Sequence, residues 1–298
     1  MPHPLVEAGI LPLAEIPYGE QLALRRDRVV RALSRLPIDV EVAPIVPSPR
    51  ETGARARVNV KLRDGVVGFH AAGTHTFVPV PLDRLARPEV VAAAAGLQGG
   101  GDVEIRSDGT QVQVVRGNTV HGPKRLSVGG LVVSAASFYQ VNLEVNARIV
   151  ADVDARLVAL APVHLLDLYA GVGNLSAAAS RRGVPATLLE SDPSSVADAK
   201  RNLPGADVRK GDAARLPTGS VFFDVALLDP PRAGALGVLA ELATTRPRAI
   251  LYLSCEPTTL ARDLGTVLSR GYRVTLVQPY DMFPDTEHVE TLVVLERA

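Results

Sequence analysis

Cysteine is nearly missing from this chain: there is one thiol, Cys255, in 298 residues. That scarcity excludes an intrachain disulfide and a multi-cysteine metal cluster. Net charge is missing too, with 32 basic residues against 32 acidic ones, so the chain as a whole is no polycation. No apolar run approaches the roughly 18 residues that a membrane-spanning helix needs. The opening stretch, "MPHPLVEAGILPLAEI", has no basic segment followed by an apolar one, so no signal peptide is expected. Internal repeats and low-complexity tracts are absent. What is present is a globular composition, 47% hydrophobic and 21% charged, long enough for two domains with a well-buried core. A soluble cytoplasmic protein is expected.

The two ends of the chain differ. Splitting at residue 130 gives 16 basic and 13 acidic residues before it and 16 and 19 after, an asymmetry that permits a nucleic-acid partner without demanding one. Residues 19–36, "GEQLALRRDRVVRALSRL", set Leu22, Val29, Val30, Leu33 and Leu36 at helical spacing. The other face, with Arg25, Arg26, Arg28 and Arg31, reads as solvated surface. Alternating strands follow: "RARVNVKL", "VVGFHA" after Asp64-Gly65, "THTFVPV", and a hairpin "DVEIRSDGTQVQVV" turning at Asp108-Gly109. A short helix ending in glycine, "VVAAAAGLQGGG", lies between them. Strands joined by short turns predict an antiparallel α+β domain over 1–134.

From about residue 135 the rhythm changes. Apolar runs ("VHLLDLY", "PATLLE", "ADVRKG", "FDVALLD", "AILYLSC", "RVTLVQPY", "HVETLVVLE") alternate with helix-length segments at 174–183, 193–203, 234–243 and 257–269. This predicts an α/β domain over 135–298, a mostly parallel doubly wound sheet whose ligands bind at the carboxyl ends of its strands. The unusual residues cluster at those ends. "LLDLYAGVGNLS" runs from strand to glycine turn to helix, with Gly171 and Gly173 allowing close backbone approach. Ser176 stands where a dinucleotide fingerprint wants a third glycine, so a pyrophosphate cradle is disfavoured. Glu190, closing the next strand, can accept both hydrogen bonds of a ribose diol, and Asp212, after the third, can meet a base edge. The set fits S-adenosylmethionine better than a nicotinamide dinucleotide.

The fourth strand ends in "LLDPPRAG", where two prolines stiffen the loop behind Asp229. The fifth ends at Ser254-Cys255, and Pro257 opens a helix, whose dipole favours a thiolate at Cys255. An ordinary thiol, with pKa about 8.5, is mostly protonated at neutral pH, so such help matters. In the last strand His288 and Glu290 are two apart, which sets them on one face, His288 reading as structural.

In order, "SFYQVN", "LDLYAGVGN", "DPPRAG", "SCEPTTLARD" and "FPDTEHVE" resemble the RNA (uracil-5-)-methyltransferase family, densely over 137–292. Upstream, "PYGEQLALRRDRVVRAL" and "ARARVNV" resemble its opening helix and arginine-containing first strand. The resemblance implies a Rossmann-like S-adenosylmethionine-dependent methyltransferase domain acting on transfer or ribosomal RNA. It implies Cys255 as nucleophile toward C6 of a uridine and Glu290 as the base that removes the C5 proton. Gln140, Tyr169, Glu190 and Asp229 would contact the cofactor, while Gly171, Gly173 and Asn174 shape its loop. Phe138 and Tyr139 would position the flipped-out base or the adenosyl group, and Arg232 would neutralise RNA phosphate or hold Asp229.

The chain departs from the family pattern in three places. It is expected to be without the amino-terminal RNA-gripping barrel of many relatives, and it lacks their iron–sulfur cysteines. It also reads Ser-Cys-Glu-Pro where the family reads Ser-Cys-Asn-Pro. Glu256 is a poor helix cap by type, and its charge is expected to raise the neighbouring thiol's pKa. Two alternatives stay open: cytosine C5 methylation on the same fold, and a non-catalytic RNA or S-adenosylmethionine binder. Amine methylation is disfavoured because Arg232 follows the prolines and because it needs no thiolate.

Overall fold

The computed structural model describes residues 4–213, 216 and 223–297. A short α1 (Pro4–Glu7) precedes the long α2 (Tyr18–Leu33). The first sheet uses β1 (Arg57–Arg63), β2 (Val66–His70), β3 (Phe77–Pro79), β4 (Gly101–Ser107), β5 (Val112–Arg116) and β6 (Thr119–His121), with α3 (Pro88–Ala95) between β3 and β4. It is antiparallel throughout, in the order β3-β2-β1-β4-β5-β6. Asp64 and Gly65 both adopt positive φ, 52° and 79°, the turn that the twist of a two-residue hairpin requires. Val58, Val60 and Leu62 alternate inward with Val103 and Ile105, against Val90 and Ala94 of α3.

A hairpin of β7 (Arg125–Val128) and β8 (Leu131–Ser134) leads to α4 (Leu143–Leu160), which the sequence reading missed. Its signal was present: Asn142 Oδ1 accepts from the Val145 amide at 3.2 Å, a cap worth about 1 kcal/mol over alanine. Val145, Ile149, Val153 and Leu157 then fall four apart along one buried stripe.

The second sheet holds β9 (Leu165–Leu168), β10 (Ala186–Glu190), β11 (Asp207–Lys210), β12 (Val225–Leu228), β13 (Ala249–Ser254), β14 (Tyr272–Tyr280) and β15 (Glu290–Arg297). The helices between are α5 (Ala177–Arg181), α6 (Pro193–Asn202), α7 (Leu236–Thr245) and α8 (Pro257–Leu268). Strand order is β11-β10-β9-β12-β13-β15-β14. One face packs on α4, α5 and α6, the other on α2, α7 and α8, as a doubly wound sheet should. Its first five strands are parallel, but β15 inserts antiparallel between β13 and β14. An antiparallel strand begins at the edge where its parallel neighbour ends. Glu290, the first residue of β15, is thereby delivered to the edge where β13 runs out at Ser254.

Two expectations change. The buried stripe of α2 is Gln21, Arg25, Val29 and Leu33 rather than one through Val30, because Arg25 faces inward. Moreover α2 packs with α8, and Val42 and Val46 bridge to β14, so the stretch from α2 to Val46 lies on the larger sheet, while Leu5, Leu11 and Ala14 pack with the smaller one. Among the described residues no helix is long and apolar enough to cross a membrane.

Candidate active site

At the end of β9 the chain makes a sharp left-handed turn. Tyr169 has φ 59° despite its side chain, a conformation that costs roughly 1–2 kcal/mol. Gly171 follows at φ 55°, and a Cβ there would meet only open space. Its amide donates to Glu190 Oε2 at 2.9 Å, while Glu190 Oε1 accepts from the Ser191 and Asp192 amides. Gly173 serves a different purpose from ligand approach: a Cβ would sit 2.4 Å from Leu203 Cδ1, so this glycine lets α6 close on the turn. Asn174 exchanges two amide hydrogen bonds with Asn146 of α4, at 3.1 and 2.8 Å, which pins the loop from behind. Asp212 lies exposed after β11, near enough to Tyr169 that it adds to burial in raising the phenol's pKa.

The reacting end is built by register. Ser254 pairs with Thr291, so the next step across the β13–β15 pair sets Cys255 opposite Glu290. Burial, then the charges of Glu290 and Asp229, push the Cys255 thiol up to about 11, with Arg232 pulling the other way. The expected helix-dipole thiolate is therefore overruled at rest, because desolvation and two carboxyl groups outweigh one helix end. Glu290 is 1% exposed, and burial plus Asp229 raise it well above the ordinary glutamate value. Burial raises Asp229 to about 7, and its one side-chain donor is Gln140 Nε2 at 3.3 Å.

Sequence reasoning missed Asp167, inside β9. It is 1% exposed, its Oδ2 has no hydrogen-bond partner, and burial with Asp229 and Glu190 nearby pushes it up to about 7. An aspartate within the apolar run "LLDLY" was the available signal.

Three other expectations are corrected. Tyr139 does not face a substrate: it is 5% exposed, donates to Ser107 O at 2.8 Å and accepts from the Ser107 amide. Strand β4 packs directly over it, which leaves Phe138, 52% exposed, as the aromatic of that pair turned outward. Glu256 does cap α8, accepting from the Thr258 amide at 3.3 Å, and it pairs with Arg28 at 3.1 Å, so its charge is drawn away from the thiol. His288 lies in the loop before β15, and Arg232 meets its Nε2 at 3.1 Å rather than holding Asp229.

Arg25, Arg26 and Arg28 of α2 form a seam, and Arg31 is left on the solvated face. Arg25 is 1% exposed, pairs with Asp281 at 3.2 Å and donates to Thr286 O, while Arg28 donates to Glu287 O. Gln21 and Arg84 both hold Asp285. The 281–289 loop that carries Glu290 is fixed by these contacts. Among the described residues no cluster of His, Cys, Asp and Glu is arranged to hold a metal.

Comparison with known proteins agrees with this geometry. A family described as tRNA (Uracil-5-)-methyltransferase matches residues 216–298. The 23S rRNA (uracil(1939)-C(5))-methyltransferase RlmD of Edwardsiella ictaluri is 31% identical, over 93% of this chain and 78% of its own length. The chain belongs to the RNA (uracil-5-)-methyltransferase family. An uncharacterized RNA methyltransferase of Lactobacillus johnsonii is 27% identical over 98% of this chain and 83% of its own. Other RlmD relatives match over shorter stretches; that of Cronobacter sakazakii is 36% identical over 56% of this chain and 41% of its own length. The Pyrococcus abyssi tRNA (uracil-54, C5)-methyltransferase, solved with S-adenosyl-L-homocysteine, shares the fold with a TM-score of 0.77 at 22% identity. That likeness covers 95% of this chain and 84% of the other.

Proposed function

We propose that this chain is a cytoplasmic enzyme that methylates C5 of a uridine in RNA, using S-adenosylmethionine and a covalent bond from Cys255 to C6. The observation that carries the reading is the cross-strand placement of Cys255 and Glu290, two groups that binding alone would not need.

The carboxyl-end rim suits the cofactor. Gly171 faces open space beside Glu190, and Asp167 and Asp229 are acids that no cation among the described residues neutralises. S-adenosylmethionine carries an ammonium and a sulfonium, which such acids attract, and its ribose hydroxyls suit Glu190. Gln140, Tyr169, Asp212, Asp229 and the loop from Gly171 through Gly173 to Asn174 would hold it. When bound, it supplies an electrophilic methyl group.

The chain's own residues supply the rest. Uracil C5 is a weak nucleophile, and Cys255 sulfur strengthens it by bonding to C6, which moves the C5–C6 π electrons toward C5 and O4. That attack needs the thiol proton removed from a group held near 11, so the proton passes to solvent water as substrate enters. After C5 gains its methyl, Glu290 takes the C5 proton. The C5–H electrons re-form the C5–C6 double bond as the C6–S bond breaks, releasing Cys255. Glu290 must first give up its own proton to solvent as the site fills, and the carboxylate left, with its raised pKa, is then a stronger base toward a carbon-bound proton. Phe138 would face the extracted base and Arg232 the RNA backbone.

We assign residues 1–134 to the smaller, RNA-contacting part and 135–298 to catalysis, with α2 bracing the latter. The test is incubation with unmodified 23S rRNA, with tRNA as the second substrate, followed by nucleoside analysis. 5-Methyluridine is expected; methylated cytidine, or no product on either RNA, would overturn the assignment.

A further inference from the structure

The outer face of β1 is uncommitted to the core. With Val58, Val60 and Leu62 turned inward, Arg57, Asn59, Lys61 and Arg63 point outward, spaced about 6.6 Å apart along the strand. Each end of this row meets an aromatic ring. The Arg57 guanidinium lies 4.9 Å from the Phe138 ring centroid, and that of Arg63 lies 4.9 Å from Phe77's. Gly68, paired with Lys61, explains the second contact: a Cβ there would come within 2.7 Å of the Phe77 ring, so glycine lets the ring lie across the sheet toward Arg63. Glu104 pairs with Arg57 and Asp102 with Lys61, whereas Arg63 has no ion pair among the described residues. Asn59 and Val66 are exposed on the same face.

The row is continuous with the candidate active site. Phe138 stands two residues from Gln140, whose amide reaches Asp229. Rings lying on an open sheet with cations between them match unpaired nucleotides, whose bases stack and whose phosphates need neutralising. A paired helix offers no free base faces to such a surface.

We infer that the β1 outer face, from Phe138 and Arg57 to Arg63 and Phe77, is a platform for the single-stranded RNA segment adjoining the target uridine. This rests on the uridine reading above. Phe138, facing the target base, closes the active-site end of the row, Lys61 and Arg63 take backbone phosphates, and Phe77 stacks a base further along.

The test uses the full chain and a labelled short single-stranded RNA, with a duplex of the same sequence alongside, followed by anisotropy. In the double variant Arg63→Ala/Phe77→Ala the Kd for the single strand should rise at least about tenfold, as the loss of one stacked base implies. The slope of log affinity against log salt should become shallower by about 0.7, one phosphate contact. Phe77→Tyr should restore most of the affinity. Melting temperature and S-adenosylhomocysteine affinity, both unchanged, certify the fold. Unaltered Kd and salt slope in the double variant would overturn the platform and leave the face to an acidic protein partner. The outcomes separate from those of the reaction: methylation with undiminished RNA affinity sinks the platform alone, and platform-dependent binding without 5-methyluridine sinks the reaction alone.

Discussion

Two of the regions where this molecule buries acids treat them in opposite ways. In the seam between α2 and the 281–289 loop, each meets a guanidinium: Asp281 meets Arg25 and also accepts from Tyr18 at 2.7 Å, and Asp285 meets Arg84 with Gln21 beside it. At the carboxyl edge of the sheet, Asp167, Asp229 and Glu290 have no ion pair among the described residues, and Asp167 Oδ2 and Glu290 Oε1 have no hydrogen-bond partner among them. The sequence has arginines to spare and places them in the seam. An unpaired buried carboxyl is costly, so its repetition at one edge marks that edge as built for something other than stability. The seam then has a purpose for the edge, because it fixes the loop from which Glu290 enters β15.

That contrast can be broken at either side. The largest effect on stability belongs to Asp281→Asn, which strands Arg25 in the interior; denaturant titration should show a loss of about 3–5 kcal/mol. A loss under 1 kcal/mol would mean that the seam is not holding the loop.

Asp229→Asn should act in the opposite direction. The folded chain holds this proton to about pH 7, whereas an ordinary aspartate releases it near 3.8, so the native state binds more protons over that window and stability falls as pH rises through it. The variant should melt higher than the parent at pH 8 and show a flatter stability profile between 4 and 7, while binding S-adenosylhomocysteine more weakly. A lower melting temperature at pH 8 would place Asp229 with the seam acids.

The smallest effect is expected from Glu256→Asn. Asparagine caps at least as well, and the partly exposed pair with Arg28 is worth under about 1 kcal/mol. Thermal stability should stay nearly constant. The Cys255 titration, followed by alkylation rate against pH, should not move, since burial sets it first, with Glu290 and Asp229 adding to it. A downward shift of a full unit would restore Glu256 as the tuning residue.

How much of this could be read in advance follows from what periodicity encodes. Alternating apolar runs revealed both sheets, and the acids at strand ends pointed to the candidate cofactor edge, because a polar residue closing a buried strand stands out locally. Pairing across the fold left no such trace. Nothing in "GEQLALRRDRVVRAL" distinguishes Arg25, which needs Asp281 from the far end of the chain, from the arginines that meet water. Tyr139 was misread for the same reason: its hydroxyl is spent on β4, and its neighbour Phe138 alone turns outward. The antiparallel entry of β15 was also hidden, since a strand's direction is set by its connection and not by its composition. Yet that direction puts Glu290 beside Cys255.

The central claim is that sulfur and carboxylate act on one pyrimidine ring, and it is tested most directly with RNA carrying 5-fluorouridine at the target, incubated with S-adenosylmethionine. Fluorine at C5 cannot be removed as a proton, so the chain should become bonded to the RNA, and peptide mass analysis should place that bond on Cys255. Cys255→Ala should form no adduct while still binding S-adenosylhomocysteine. An adduct that persists in Cys255→Ala, or RNA methylated at uridine without any adduct, would contradict the account.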